Sequence, residues 1–166
     1  MNRSIKVFAP ATIANVVCGY DILGFAVHAP GDEVIMRLKE KPGIILTKIS
    51  GDDGRLPTDA AQNTVSVSVQ HYLNHIGKPE QGVEIELFKK MPIGSGLGSS
   101  SASTVAGLVA VNTLFDNLLS AHELIPFAMK GEELACGTGH ADNVAPALLG
   151  GFVLIRSYEP LDIIKL

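Results

Sequence analysis

Met91-Pro-Ile-Gly-Ser-Gly-Leu-Gly-Ser-Ser-Ser-Ala-Ser103 runs without a break into the apolar stretch Ala102–Leu114. Glycines let backbone amides approach an anion closely. A helix that begins within the serines aims its unpaired N–H groups and positive dipole end at the same place. The segment therefore reads as a phosphate cradle, with an ordinary tight turn as its bland alternative. No Lys-Ser or Lys-Thr follows the last glycine, so it is not a Walker-type loop. Gly94 and Gly96 are followed at the third place by Ser99, so it is not the dinucleotide fingerprint either.

Upstream, Val83–Phe88 alternates Val, Ile and Leu with Glu84 and Glu86, the pattern of a half-buried strand. The cradle is thus expected at a strand-to-helix turn. Asn63–Ile76 carries Val65, Val69, Tyr72, Leu73 and Ile76 at helical spacing, closed by Gly77 and Pro79. Nearer the N-terminus, Ile5–Ala9 reads as a strand stopped by Pro10. Ala11–Asp21 reads as a small-residue and polar segment leading to the apolar Ile22–Val27. Glu33–Leu38 and Ile44–Ile49, around Lys41-Pro42-Gly43, predict a hairpin or two neighbouring strands. Gly51–Asp59 is a loop.

Downstream, Ser120-Ala-His-Glu123 is a capping box for a helix to about Ala135, with Pro126 tolerable only near its first turns. Cys136–Asp142 is a glycine-broken loop. Asn143–Leu149 is a short helix ended by Gly150-Gly151, and Phe152–Ile155 is a final strand. Strands first and helices later argue for α+β in one unit spanning 1–166.

Composition narrows the function classes. With 46% hydrophobic and 18% charged residues, the 166-residue chain can bury a core. A formal net charge of -4 without a dense Lys/Arg block argues against nucleic acid as the main partner. No stretch approaches the apolar length of a membrane span, and the first residues lack a leader's apolar region. A cytoplasmic location is the expectation. Cys18 and Cys136 have neither disulfide nor zinc spacing and read as packing residues. His71 and His75, four apart on a predicted helix, read as ordinary helix residues for want of a third ligand.

Three segments carry the chemistry: Ala9-Pro-Ala-Thr-Ile-Ala-Asn15 continuing to Gly-Tyr-Asp-Ile-Leu-Gly24, the Pro92–Ser103 run, and Gly139-His-Ala-Asp-Asn-Val-Ala-Pro146 continuing to Gly151. Their order and content resemble the GHMP small-molecule kinases, and within them the homoserine kinases. Pro92 to Ser100 meets the superfamily's Pro-x-x-x-Gly-Leu-Gly-Ser-Ser pattern. The other two segments point to the homoserine branch.

The resemblance implies an α+β fold, the N-terminal ATP-binding domain of a GHMP kinase, related to the second domain of ribosomal protein S5. It implies a left-handed β-α-β unit, which periodicity does not show and which departs from the usual right-handed crossover. It also implies a C-terminal domain that is absent here. The activity implied is transfer of the γ-phosphoryl group of ATP to the side-chain hydroxyl of L-homoserine, with Mg2+, in a possible homodimer.

Carried over residue by residue, Pro92, Ile93, Gly94, Ser95, Gly96, Leu97, Gly98, Ser99, Ser100, Ser101 and Ala102 wrap the triphosphate. Asn63 reaches the nucleotide base. Ser100 and Glu132 hold the metal, with Glu133 as runner-up to Glu132. Asn15, Asp21 and His140 line the homoserine pocket, where Asn15 and Asp21 also fit the bland role of satisfying a turn. Asn143 places the reacting hydroxyl, and Asp142 reads as structural. The rival readings are another GHMP kinase, acting on mevalonate, a sugar or a related alcohol, and a non-catalytic nucleotide-binding module.

Overall fold

The protein was analysed as a computed structural model that describes residues 3–166; Met1 and Asn2, part of the segment read for a leader, lie outside the described residues. One six-stranded sheet carries four helices on one face. Strands β1 (Ser4–Val16) and β2 (Gly19–Lys39) form a long antiparallel hairpin. The other edge of β2 serves two partners. Glu33–Lys39 pairs antiparallel with β4 (Gly82–Phe88), and Leu23–Phe25 pairs antiparallel with β5 (Phe152–Tyr158). Outside them lie β3 (Ile44–Ser50), parallel to β4, and β6 (Leu161–Lys165), antiparallel to β5.

Four strand expectations need correction. Pro10 does not stop β1, because β1 is an edge strand with a register shift between Pro10 and Thr12, where a missing N–H costs no ladder bond. Ala11–Asp21, read as a polar segment, is instead the far end of this hairpin. The segments flanking Lys41-Pro42-Gly43 are neither a hairpin nor neighbours. Strand β4 inserts between β2 and β3, with Val83 N–H donating to the Gly43 carbonyl at 3.0 Å. Phe152–Ile155 is not the final strand either, since Leu161–Lys165 folds back on it after a turn at Glu159-Pro160.

Helix α1 (Thr64–His75) joins β3 to its parallel neighbour β4. Helix α2 (Ser99–Leu114) follows β4 through the glycine run and is buried at every residue from Ser101 to Leu108. It packs on β1, β2, α1, α3 and α4, so its surface is small rather than one-sided. Gly107 lets Val65 of α1 come close, where an added Cβ would meet Val65 Cγ1 at 2.5 Å. Within α2, Ala106, Leu108 and Val111 are fully enclosed, and Val109 is half-buried.

Helix α3 (Ala121–Cys136) starts with the predicted capping box: Ser120 Oγ accepts from Glu123 N–H, and the Glu123 carboxylate accepts from Ser120 N–H at 2.8 Å. Helix α4 is Val144–Leu149. Cys18 and Cys136 are exposed rather than packed, Cys18 between β1 and β2 and Cys136 at the last turn of α3. His75 packs its ring on Phe127, centroids 5.1 Å apart. No described helix is long and apolar enough to cross a membrane.

Candidate active site

The glycine run forms an open loop between β4 and α2. Gly94, Gly96 and Gly98 take φ of 78°, 74° and 63°, a region that side chains disfavour. Gly98 is also crowded, since a Cβ there would lie 2.1 Å from Thr12 Oγ1 and 2.8 Å from Asn143 Oδ1. Gly94, Ser95 and Gly96 are exposed. Ser95 N–H donates to the Pro92 carbonyl at 3.3 Å, whereas no described residue accepts from the amides of Gly94, Gly96, Gly98, Ser99 or Ser100. These unpaired donors edge a cavity of about 470 Å³, which also touches Leu56, Asn63 and Leu134. That volume lies within the usual range for a small-molecule site.

Beneath the loop sits an arrangement that sequence reading missed. Lys89, 7% exposed, donates to Asp32 Oδ2, to the Ser99 carbonyl at 2.7 Å and to Ser103 Oγ at 2.6 Å. All three of its N–H groups are thereby used. Asp32 in turn accepts from Lys90 N–H at 2.8 Å and from Ser99 Oγ at 2.9 Å. Burial pushes the Lys89 ammonium down from the usual lysine value, opposed by the Asp32 carboxylate. A signal existed in the alternation: Val83, Ile85, Leu87 and Lys89 share one strand face, as do Asp32, Val34 and Met36.

Glu132 and Glu133 separate cleanly. The Glu133 side chain is half exposed and pairs with Lys130 at 2.8 Å. Glu132 is 7% exposed, and its Oε1 is sealed from solvent without a geometric hydrogen-bond partner. Burial raises its carboxyl above the usual range, while the neighbouring hydroxyls of Ser101 and then Ser100 pull it down. An orphaned buried carboxylate beside the hydroxyl of Ser100, a residue that lines the cavity, fits a hard oxygen-seeking cation such as Mg2+.

Of the expected acceptor residues, Asn143 lies against Gly98, and Asn15, Asp21 and His140 are linked to one another. Asn15 and Asp21 both take positive φ, 58° and 59°, in the β1–β2 hairpin, and Asn15 Oδ1 accepts from Asp21 N–H at 2.8 Å. The local-turn role of Asn15 is thus real, and it leaves the amide's N–H edge uncommitted among the described residues. The Asp21 carboxylate lies 3.1 Å from His140 Nδ1. Tyr158, not predicted, bridges the two segments: its hydroxyl donates to the Asp21 carbonyl at 2.7 Å and accepts from Ala141 N–H at 3.3 Å. Asn143 precedes α4, its Oδ1 accepting from Thr12 Oγ1 at 2.8 Å. Asp142 is buried, and burial raises its carboxyl.

Several predicted nucleotide residues sit differently from expectation. Ala102 is enclosed and its N–H is taken by the Gly98 carbonyl at 2.8 Å, because it already belongs to the closed ladder of α2. Ser101 is likewise enclosed, its hydroxyl facing Glu132 rather than the cavity. Pro92 is exposed at the rim. Asn63 does line the cavity, but its Oδ1 caps α1 through Val65 N–H at 3.2 Å and its Nδ2 donates to the Pro57 carbonyl at 3.0 Å.

The family model for the GHMP kinases N-terminal domain matches residues 63–151. A homoserine kinase of Chlorobium phaeovibrioides is 49% identical over 171 residues, covering 98% of this chain and 53% of that protein. The crystal structure of homoserine kinase from Cytophaga hutchinsonii superposes with a TM-score of 0.95 at 66% identity, covering 100% of this chain and 52% of that one. The mevalonate kinase of Methanococcus jannaschii, 18% identical with a TM-score of 0.72, covers 100% of this chain and 56% of its own, and shares the fold. The chain spans about half the length of the curated relatives it matches. With its open glycine loop capping a buried helix, the chain belongs to the GHMP kinase family, whose N-terminal domain it carries.

Proposed function

We propose that this chain is the nucleotide-binding half of a homoserine kinase, which transfers the γ-phosphoryl group of ATP to the side-chain hydroxyl of L-homoserine, giving O-phospho-L-homoserine and ADP on the route to threonine. One observation carries the reading: Gly98, within the loop of unpaired amides, lies against Asn143, and Asn143 belongs to the same loop as His140, which pairs with Asp21. The identity to homoserine kinases over nearly the whole chain supports the choice of acceptor.

The amides of Gly94, Gly96 and Gly98 to Ser100 hold the triphosphate, reinforced by the positive end of α2. Ile93 and Leu97 flank the loop, and Asn63 stands at the base side of the cavity. Ser100 and Glu132 hold Mg2+, which when bound neutralises charge on the phosphoryl oxygens. Asp21 pairs the substrate ammonium group, with Asn15 and His140 lining the same pocket. Asn143 presents its amide to the reacting hydroxyl.

The hydroxyl oxygen bonds to the γ-phosphorus as the bond to the bridging oxygen of ADP breaks. Its proton leaves late, to the transferred phosphoryl group, so that positioning suffices without a strong base. Asp142, 3% exposed, supports the loop and not the proton transfer. The reading carries with it a cytoplasmic enzyme and a homodimer. The test is a coupled ADP assay on the full-length protein with homoserine, mevalonate and galactose. Homoserine-dependent turnover supports it. Turnover of another alcohol alone, or nucleotide binding without turnover, contradicts it.

A further inference from the structure

Thr12 belongs to none of the residues assigned a role above, yet it touches all three segments that build the site. It is fully buried in β1, just past the register shift that follows Pro10. Its N–H donates to the Leu97 carbonyl at 3.1 Å, fastening the glycine loop to the sheet. Its hydroxyl donates to Asn143 Oδ1 at 2.8 Å, and the same oxygen lies against Gly98, whose missing side chain makes the contact possible.

A carboxamide has an accepting end and a donating end, and the two are nearly the same shape. With Oδ1 of Asn143 occupied by the Thr12 hydroxyl, the NH2 end points the other way. No described residue accepts from that Nδ2, and it is not sealed from solvent, so it is free to donate outward.

We propose that Thr12 is a positioning residue for phosphoryl transfer: its hydroxyl anchors the Asn143 amide against Gly98, where that amide meets the reacting oxygens. The inference rests on the kinase reading above for its consequence, but the Thr12–Asn143 bond stands without it. Removing the hydroxyl while keeping the shape leaves the amide without its anchor, free to turn or swing away from the reacting oxygens. The cost falls on the chemical step, because orientation of reacting groups is worth large factors in rate. Nucleotide binding, carried by backbone amides, stays.

Thr12→Val and Thr12→Ser in the full-length protein test this. For Thr12→Val a fall in kcat of about 10- to 100-fold is expected, typical of losing an oriented polar contact, with KM for ATP within about twofold. Thr12→Ser restores kcat to near the parent value. Unchanged kcat in Thr12→Val overturns the proposal. So does a rise in KM for ATP that tracks a loss of melting temperature, because it marks Thr12 as only a strut. Should the parent protein not act on homoserine, the acceptor assignment fails separately. Thr12 is then judged by the side-chain amide NMR signals of Asn143, identified through their loss in Asn143→Asp. They must shift and broaden in Thr12→Val; identical signals refute the proposal.

Discussion

The two halves of the site are built on opposite principles. On the nucleotide side the donors are main chain, made available by three glycines of positive φ. They are held from below by side chains already saturated with one another, Lys89, Asp32, Ser99 and Ser103. On the proposed acceptor side the groups are the side chains of Asn15, Asp21, His140 and Asn143, exposed at Asn15 and half-buried at the other three, strung across a hairpin and a loop that Tyr158 ties together. Backbone donors bind any polyphosphate whatever the side chains do. The acceptor side can change its alcohol by changing a few residues.

The sharpest break in this comparison comes from Glu132, the proposed metal carboxylate. Glu132→Gln should lower Mg2+-dependent turnover by about 100-fold or more, the scale of losing a group that neutralises transferring phosphate. It should also make the protein more stable. Burial raises the Glu132 pKa in the folded state, so the native form binds more protons there and stability falls as pH rises through that titration. The Gln variant lacks this loss, and a melting curve at neutral pH should sit higher, by about 2–4 °C per kcal/mol recovered for a chain this size. A lower melting temperature would contradict the assignment.

Next in size is the floor of the loop. Lys89→Met leaves Asp32 charged and buried without its cation, which typically costs about 3–5 kcal/mol, measurable by urea unfolding. Lys89→Met with Asp32→Leu should recover much of that stability, since buried pairs replaced together are often nearly neutral. If Lys89→Met instead abolished ATP binding at unchanged stability, Lys89 would be a phosphate ligand and the two-sided picture would fail.

Smaller and more selective is Asp21→Asn. Losing the charge partner of an ammonium group should raise KM for homoserine by about 10-fold or more, in line with a charge-assisted bond of ~1.5–3 kcal/mol. KM for ATP should stay within twofold. Equal effects on both substrates would erase the distinction between the halves.

Much of this was legible beforehand. The capping box at Ser120, the strand at Val83–Phe88 and the turn at Gly94–Gly98 each follow from a local rule, and the structure keeps all three. The insertion of β4 between β2 and β3 was not legible, because periodicity says which residues are strands and not which strands pair. Glu132 against Glu133 turned on helix phase, which the packing of α3 against α2 decides. Thr12 was hidden by the register shift after Pro10, which turns it inward out of step with the alternation. Tyr158 acts from a strand whose partner, β6, carried too weak a pattern to be read. The buried Lys89–Asp32 pair was the avoidable miss, since each lies one residue beyond a strand already identified, in phase with its inward positions.

The central claim is that main-chain amides at the β4–α2 junction hold the triphosphate. It is tested most directly by following 15N–1H resonances while Mg-ATP is added. The account predicts that the largest shifts fall on Gly94, Gly96, Gly98, Ser99 and Ser100, with the amides of β3 and β6 unmoved. Saturable binding that leaves these five resonances in place would contradict it.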